Sequence, residues 1–440
     1  MAAVKARKTK WDADRAVFAL LAGLGCCCTG ASAELLTIGV QSGEPCTLRA
    51  PAGSTAAATT LHPYLSGQSR TAQGQHWQRS VRFPRPVAAA AGQYTLACPG
   101  SADRTFDPDS AGQASSSSST ALSPVGVGAN HQHLIAGNRT WLPLGLNIAW
   151  PTNNRSVSVL DYYQRYFEAM SAVGGNFARV WLGPCFNHSR SFNRLVLLTT
   201  DGAPGSAPQI DLAAAAVLDQ LLNLAASHGI RILLALDSFN SLCPGSVSTN
   251  CHYESSVWAP LLERHGKLGF LEFWSDSAVV EAWASYQGYV AKRFGAHPAL
   301  MALQLFNEVD AADFEVLPAS YSWHKDMAKR LHALQPALLV SESFGLAPGN
   351  PVVDSDSGFD VTTTHYYART DRGNSPNVGA AAALWAAGKH ESYGKPSWVG
   401  EFGCDDDNGQ PMSRAAFHDG VRAMTQRPRI APVQHASRPA

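Results

Sequence analysis

The chain has 440 residues, 45% of them hydrophobic and 15% charged, with a formal net charge of +0 at pH 7. That length suits one large domain with a smaller companion, and the apolar fraction argues against wholesale disorder. A balanced charge makes nucleic acid or an anionic membrane surface a poor choice as main partner.

Residues 1–33 predict an export signal. The basic run "KARKTK" (Lys5 to Lys10) precedes the apolar stretch "AVFALLAGLGCCC", too short to cross a bilayer as a helix. "ASA" at Ala31 to Ala33 then offers the small residues of a cleavage site. The competing reading is a buried helix or an anchor, with Cys26, Cys27 and Cys28 open to lipidation. An exported chain without this segment keeps Cys46, Cys98, Cys185, Cys243, Cys251 and Cys404, an even set that permits disulfides. Cys243 with Cys251 would close a short loop and Cys46 with Cys98 would staple the region after the signal, but spacing decides neither. Asn-x-Ser/Thr sequons at Asn138, Asn154 and Asn187 agree with export, and the expected location is extracellular.

Residues 34–110 are rich in Gly, Pro, Ser and Thr, with short apolar patches such as "LLTIGV" and "QYTLAC", which predicts a small β-rich module. Residues 111–123, "AGQASSSSSTALS", read as a flexible linker. The main domain is expected over 124–426, and an irregular tail over 427–440.

Beyond the linker, strand-like and helical patterns alternate. "WLPLGLNIAW" reads as a strand, "LDYYQRYFEAMSAV" as a helix and "NFARVWL" as a strand. "DLAAAAVLDQLLNLAASHG" is a helix stopping at Gly229, followed by the strand "IRILLALD". The helix "AVVEAWASYQGYVAKRFG", the strand "ALMALQLF" and the helix "SYSWHKDMAKRLHALQP" come next. "ALLVSES" and "FDVTTTHYY" are strands, a helix lies within Val378 to His390, "PSWVGEFG" is a strand and "SRAAFHDGVRAMTQ" a last helix. Such alternation predicts an α/β fold with a parallel sheet and helical crossovers, nearest to the (β/α)8 TIM-type barrel. Strands are expected near Leu144, Val180, Leu233, Leu303, Val340, Thr363 and Val399. The tail "RPRIAPVQHASRPA" carries Pro428, Pro432 and Pro439 and no apolar run, so the barrel is expected to lack a normal eighth strand and to expose two edges.

Barrels of this kind gather their chemistry where the strands end. The predicted ends bring Asn147, Arg179, Asp237, Asn307 with Glu308, Glu342, His365 with Tyr367, and Glu401 to one cleft. Side chains alternate along a strand, so His365 and Tyr367 share a face. Glu308 closes the fourth strand and Glu401 the seventh. Two such carboxylates suit glycoside hydrolysis, one protonating the leaving oxygen and the other stabilising or attacking the anomeric carbon. An Arg and a Tyr beside the second would keep it ionised, whereas a carboxyl shielded from such partners rises in pKa and can act as the acid. Taken alone, Asn307–Glu308 also fits a turn start, and Glu401 an ordinary strand-end ion pair.

The ordered segments "GLNIAW", "NFARVWL", "FNEVD", "HYY" and "VGEFG" resemble the signature segments of retaining (β/α)8 glycoside hydrolases of clan A. Family 5 and related cellulase- or mannanase-like proteins are nearest, and the likeness runs from Leu134 to Gly403. It implies a glycosidase without metal or cofactor, with a carbohydrate as partner and a monomer as the expected state. Under it Glu308 would be the acid/base and Glu401 the nucleophile, with their carboxyl groups about 5 to 5.5 Å apart. Asn307 would hold the sugar 2-hydroxyl, Arg179 and Tyr367 would orient the nucleophile, and His365 and Asn147 would line the sugar site. Trp150, Trp181 and Trp258 are candidates for stacking on sugar rings, with core packing as the plain alternative. The chain departs from the family at "LDSFN", where a His-containing strand end is common, and in having no Trp after Trp398. A catalytically impaired glycan binder of the same fold is therefore the alternative reading. Zinc ligation by His131 and His133 of "HQH" has little support, since that segment precedes the first strand.

Overall fold

A computed structural model describes residues 35–40, 46–50, 59–61, 64–71, 74–84, 94–100, 102–106, 122–151, 156–183, 193–243, 256–263, 272–312, 318–345, 349–368, 378–404 and 430–435. The expected signal segment, most of the expected linker, Asn154, Asn187, Cys185, Cys251 and the last expected helix lie outside these residues.

Eight parallel strands form the central sheet: β1 (Gly145–Asn147), β2 (Phe177–Trp181), β3 (Arg231–Ser238), β4 (Leu300–Asn307), β5 (Leu339–Ser341), β6 (Thr362–Ala368), β7 (Ser397–Cys404) and β8 (Ile430–His435). They are ordered β5-β4-β3-β2-β1-β8-β7-β6. A parallel bridge between Ser341 and Val361 joins β5 to the start of β6, and the Asp360 N–H donates to the Val340 carbonyl beside it. These contacts bring the ends of the sheet together as in a TIM-type barrel. Every residue of β3 and β4 is buried. Strands covered on both faces carry unbroken apolar runs rather than alternation, which is why these two stand out in the sequence.

The eighth strand corrects the expectation of an irregular tail and an open barrel. Its first half pairs with β7, Ile430 to Ser397 through Pro432 to Val399, and its second half pairs with β1, Val433 to Gly145 through His435 to Asn147. Proline lacks an N–H and is excluded from the middle of an ordinary ladder. Pro432 stands where the strand changes partners, so the missing donor falls at the end of one ladder rather than inside it.

Helices α1 (Val159–Ala172), α2 (Leu212–Ser227), α3 (Ser277–Phe294), α4 (Pro318–Leu334) and α5 (Val378–Tyr393) pack outside the sheet. Ser158, Asp211 and Asp276 cap the first three, each accepting a hydrogen bond from a backbone N–H in the first turn. The turn after α2 uses Gly229 at φ 73°, a conformation that costs other residues about 1 kcal/mol or more. Tyr163, Phe167 and Met170 give α1 its buried stripe. Phe273, Trp283, Phe306 and Trp323 form an aromatic layer between β4 and α3–α4, with Trp283 stacked on Phe306 at 4.6 Å.

The barrel interior is layered. At the N-terminal end Phe177, Leu233, Met301, Leu339, Val361 and Trp398 form an apolar plug with Val125 and Leu134. The last two come from an antiparallel unit of Val125–Val127, Leu134–Ala136 and Arg139–Thr140. His131 and His133 belong to this closed end, away from the strand termini.

Residues 35–106 contain two antiparallel sheets. One holds Leu35–Val40, Tyr64–Thr71 and Gly74–Pro84, the other Cys46–Arg49, Thr59–Leu61, Tyr94–Ala97 and Arg104–Phe106. Cys46 is bonded to Cys98 across 52 residues. Cys243 is also disulfide-bonded. Among the described residues no helix is long and apolar enough to cross a membrane.

Candidate active site

The C-terminal ends of the strands converge on Glu401. Its Oε1 accepts from Arg179 Nη1 at 2.7 Å and from Asn147 Nδ2 at 3.0 Å, while Oε2 accepts from the Tyr367 hydroxyl at 2.5 Å. Four strands contribute to this one carboxylate: β7 carries it, and β1, β2 and β6 supply the donors. A register irregularity between Thr364 and His365 aligns His365 with Glu401 and skips Gly400. A Cβ on Gly400 would lie 2.6 Å from Thr363 Cγ2 and 2.8 Å from His365 Nε2, so this bulge requires glycine.

Arg179 is held from the opposite side. Gln304 Oε1 accepts from both Nε, at 2.9 Å, and Nη2, at 2.5 Å, and Asn307 Oδ1 accepts from Nη2 at 2.8 Å. Asn147 Oδ1 takes a further bond from Nη1 at 3.3 Å. The guanidinium is 1% exposed. Burial lowers its pKa, and the charges of Glu401 and Glu308 work against that shift. Burial and the Glu401 charge push the Tyr367 hydroxyl well above its ordinary range, which keeps it a proton donor.

Glu308 follows β4 with a left-handed backbone, φ 49°. Its Oε1 lies 2.9 Å from His365 Nδ1, and 19% of its side chain is exposed against 4% for Glu401. His365 Nε2 is buried without a hydrogen-bond partner among the described residues, and Nδ1 faces the carboxylate. One oxygen from each of Glu308 and Glu401 and a nitrogen of His365 lie within 4.8 Å of one another. This spacing could admit a cation. However, Arg179 already supplies a buried positive charge at 2.7 Å from Glu401, and a metal ion would have to sit against it.

The structure thus brings Asn147, Arg179, Asn307, Glu308, His365, Tyr367 and Glu401 together. The aromatic candidates separate. Trp258 is fully buried between Phe273 and Trp283 and donates its Nε1–H to Asp237 at 2.9 Å. Trp181 is 1% exposed, beneath the edge-on ring of Trp150 at 5.1 Å and 5.4 Å from the Arg179 guanidinium. Both rings are covered by protein, which corrects the expectation that they stack on a sugar; Trp150 is half-buried.

Asp237 belongs to a buried network: Oδ1 accepts from the Ser238 N–H and the Ser241 hydroxyl. Burial pushes its carboxyl up to about 6, with the bonds from Trp258, Ser241 and Ser238 opposing that rise. Its neighbour Ser238 receives Asn307 Nδ2 at 3.4 Å. Glu342 is also buried, accepting from the Phe306 and Ser343 amides rather than facing the cleft. The residue missed by reading strand ends alone is Gln304. It is the one strongly polar side chain inside the apolar run "ALMALQLF", and that interruption was its signal.

No family model matches the sequence, and no curated protein matches it. Solved structures do. A glycoside hydrolase family 5 mannosidase from Rhizomucor miehei has a TM-score of 0.53 at 14% identity, covering 71% of this chain and 85% of that chain. An endo-1,4-beta-mannanase from the same organism has a TM-score of 0.51 at 13% identity, with coverage of 71% and 90%. A candidate glycoside hydrolase from Bacteroides vulgatus has a TM-score of 0.56 at 13% identity, covering 92% of this chain and 71% of that chain. At such low identity the likeness is one of fold: this chain shares its α/β barrel architecture with family 5 glycoside hydrolases.

Proposed function

We propose that this chain is an exported retaining glycoside hydrolase acting on β-linked mannose-containing glycans. The observation carrying the reading is the pair of carboxylates at the ends of β4 and β7, oxygens within 4.8 Å, one partly exposed beside His365 and the other buried on an arginine. That separation suits double displacement rather than attack by an interposed water, which needs roughly 6.5 to 9.5 Å. Glu401 attacks the anomeric carbon while Glu308 gives its proton to the leaving oxygen, so the glycosidic C–O bond breaks as the glycosyl ester forms. Glu308 then takes a proton from water, whose oxygen displaces Glu401. Asn307, fixed with Oδ1 on Arg179 and one Nδ2–H toward Ser238, presents its second Nδ2–H to a sugar hydroxyl. The choice of β-mannosides leans on the fold neighbours that are mannosidases and mannanases.

The test is hydrolysis of β-mannan and 4-nitrophenyl β-mannoside, with the anomer of the first-formed product read by NMR. Retention is expected, Glu401→Ala should be inactive, and azide should restore turnover of an activated aryl mannoside by Glu308→Ala, giving a β-glycosyl azide. Glycan binding without hydrolysis by the wild type would overturn this reading in favour of a lectin-like protein.

A further inference from the structure

The segment after β5 does something that strand pairing cannot. The β4–β5 ladder ends at the pair Gln304–Ser341. Beyond it, side chains of the next two residues take over. Glu342 accepts the Phe306 N–H at 3.1 Å and the Ser343 N–H at 3.1 Å. The Ser343 hydroxyl accepts the Glu308 N–H at 3.1 Å and donates to the Phe306 carbonyl at 3.2 Å, and the Ser343 carbonyl accepts the Val309 N–H at 3.3 Å. Ser343 therefore bonds on both sides of the Asn307–Glu308 step.

That step needs holding. Glu308 and His131 are the non-glycine residues at positive φ among those described. For a non-glycine side chain this conformation costs about 1 to 2 kcal/mol and persists where surroundings over-determine it. Two residues beyond Ser343, a Cβ placed on Gly345 would meet Glu308 Cδ at 3.1 Å and Oε1 at 3.2 Å. The Gly345 N–H donates to Asp310 Oδ1 at 2.7 Å, tying the same segment to the turn after Glu308. Backbone and carboxyl of Glu308 are thus both set by residues 343–345.

We propose that Ser343 and Gly345 are positioning residues for proton donation: Ser343 holds Glu308 in its left-handed backbone, and Gly345 keeps open the space its carboxyl occupies. This rests on the glycosidase reading above. A misplaced acid has a signature that a general loss of packing lacks. Leaving groups that need a proton slow down, whereas 2,4-dinitrophenolate, which leaves as an anion, does not.

The experiment measures kcat/KM, which covers steps up to the glycosyl ester, for the full chain and for Ser343→Ala, Ser343→Thr and Gly345→Ala. The substrates are mannotriose and 2,4-dinitrophenyl β-mannoside. Ser343→Ala and Gly345→Ala should lose about 10- to 100-fold on mannotriose and less than about 3-fold on the dinitrophenyl glycoside. Ser343→Thr, which keeps the hydroxyl, should recover most of the loss. If Ser343→Ala departs from the wild-type circular dichroism spectrum, Gly345→Ala decides by the same ratio. Equal losses on both substrates, or none on either, in an active wild type overturn the positioning roles alone. A wild type that cleaves neither substrate overturns the β-mannosidase reading and these roles together.

Discussion

The Tyr367 hydroxyl lies 2.5 Å from Oε2 of Glu401 while Arg179 Nη1 takes Oε1 at 2.7 Å, so each oxygen of this buried carboxylate has its own donor. Asn147 adds a third donor, to Oε1, and Arg179 and Tyr367 differ in kind. Arg179 is fixed by Gln304 and Asn307 and carries the counter-charge, whereas Tyr367 contributes a neutral O–H that can follow charge as it leaves the carboxylate. Tyr367→Phe should therefore lower kcat about 10-fold or more with a smaller change in KM. It should also move the acidic limb of the pH–rate profile upward, because the ionised form loses a hydrogen bond. An unmoved acidic limb would show that Tyr367 does not act through Glu401.

Gly400 gives a prediction that separates shape from charge. Its absent Cβ would stand 2.6 Å from Thr363 Cγ2 and 2.8 Å from His365 Nε2. Thr363 cannot yield easily, because Trp398 Nε1 donates to its hydroxyl at 2.8 Å and Lys389 Nζ to its carbonyl at 2.6 Å. Gly400→Ala should cost about 1 to 3 kcal/mol in chemical denaturation and shift His365 off Glu308, reducing activity in the part that stays folded. A variant as stable and active as the wild type would contradict the close packing of Gly400 on Thr363 and His365.

Stability should fall as pH rises from mildly acidic toward neutral. Burial raises the Asp237 carboxyl from 3.8 to about 6, so its contribution is full below about 3.8 and is lost as pH passes through about 6. The size of that loss is on the order of 3 kcal/mol. The hydrogen bond from His332 to Asp360 raises the histidine above 6.5, against burial, and its contribution is likewise present below 6.5 and lost as pH climbs through the folded value. Thermal midpoints of the wild type and Asp237→Asn, compared from pH 4.5 to 7.5, should show the wild type losing ground as pH rises. A constant gap between the two would refute the assignment to Asp237.

Removal of the residues from Ile430 onward should prevent recovery of soluble, monomeric barrel. Strands β1 and β7 would then present unpaired edges, the usual route to aggregation. Size-exclusion chromatography of the shortened chain beside the intact one reads this directly, and a soluble monomer of normal helical content would count against β8 as a structural strand.

Much of this was legible from residues alone, for physical reasons. Strands such as "RILLALDS" and "LMALQLFN" are buried along their whole length and end in a polar residue, a pattern that reads as a covered strand. Reading the last polar residue of each strand as cleft-facing found Asn147, Arg179, Glu308, His365, Tyr367 and Glu401. The same rule misplaced Glu342, which turns toward its own backbone neighbours. The eighth strand escaped because its six residues are split between two partners with a proline at the change. Trp181 and Trp258 could not be sorted from Trp150, since a ring's burial depends on which helices and loops cover it. Ser343 left no trace either: its bonds run from one side chain to a distant backbone, and neither periodicity nor composition records them.

The closing strand also sets an order of events. Asn147 on β1 and Glu401 on β7 are 254 residues apart and bonded across 3.0 Å, and β8, the last of the barrel's strands in the chain, lies between their strands. During synthesis both residues emerge before the element that fixes their separation. The contact between Asn147 and Glu401 is therefore completed only once β8 is in place, so a ribosome-bound chain still lacking β8 would carry both residues without the strand that sets their separation.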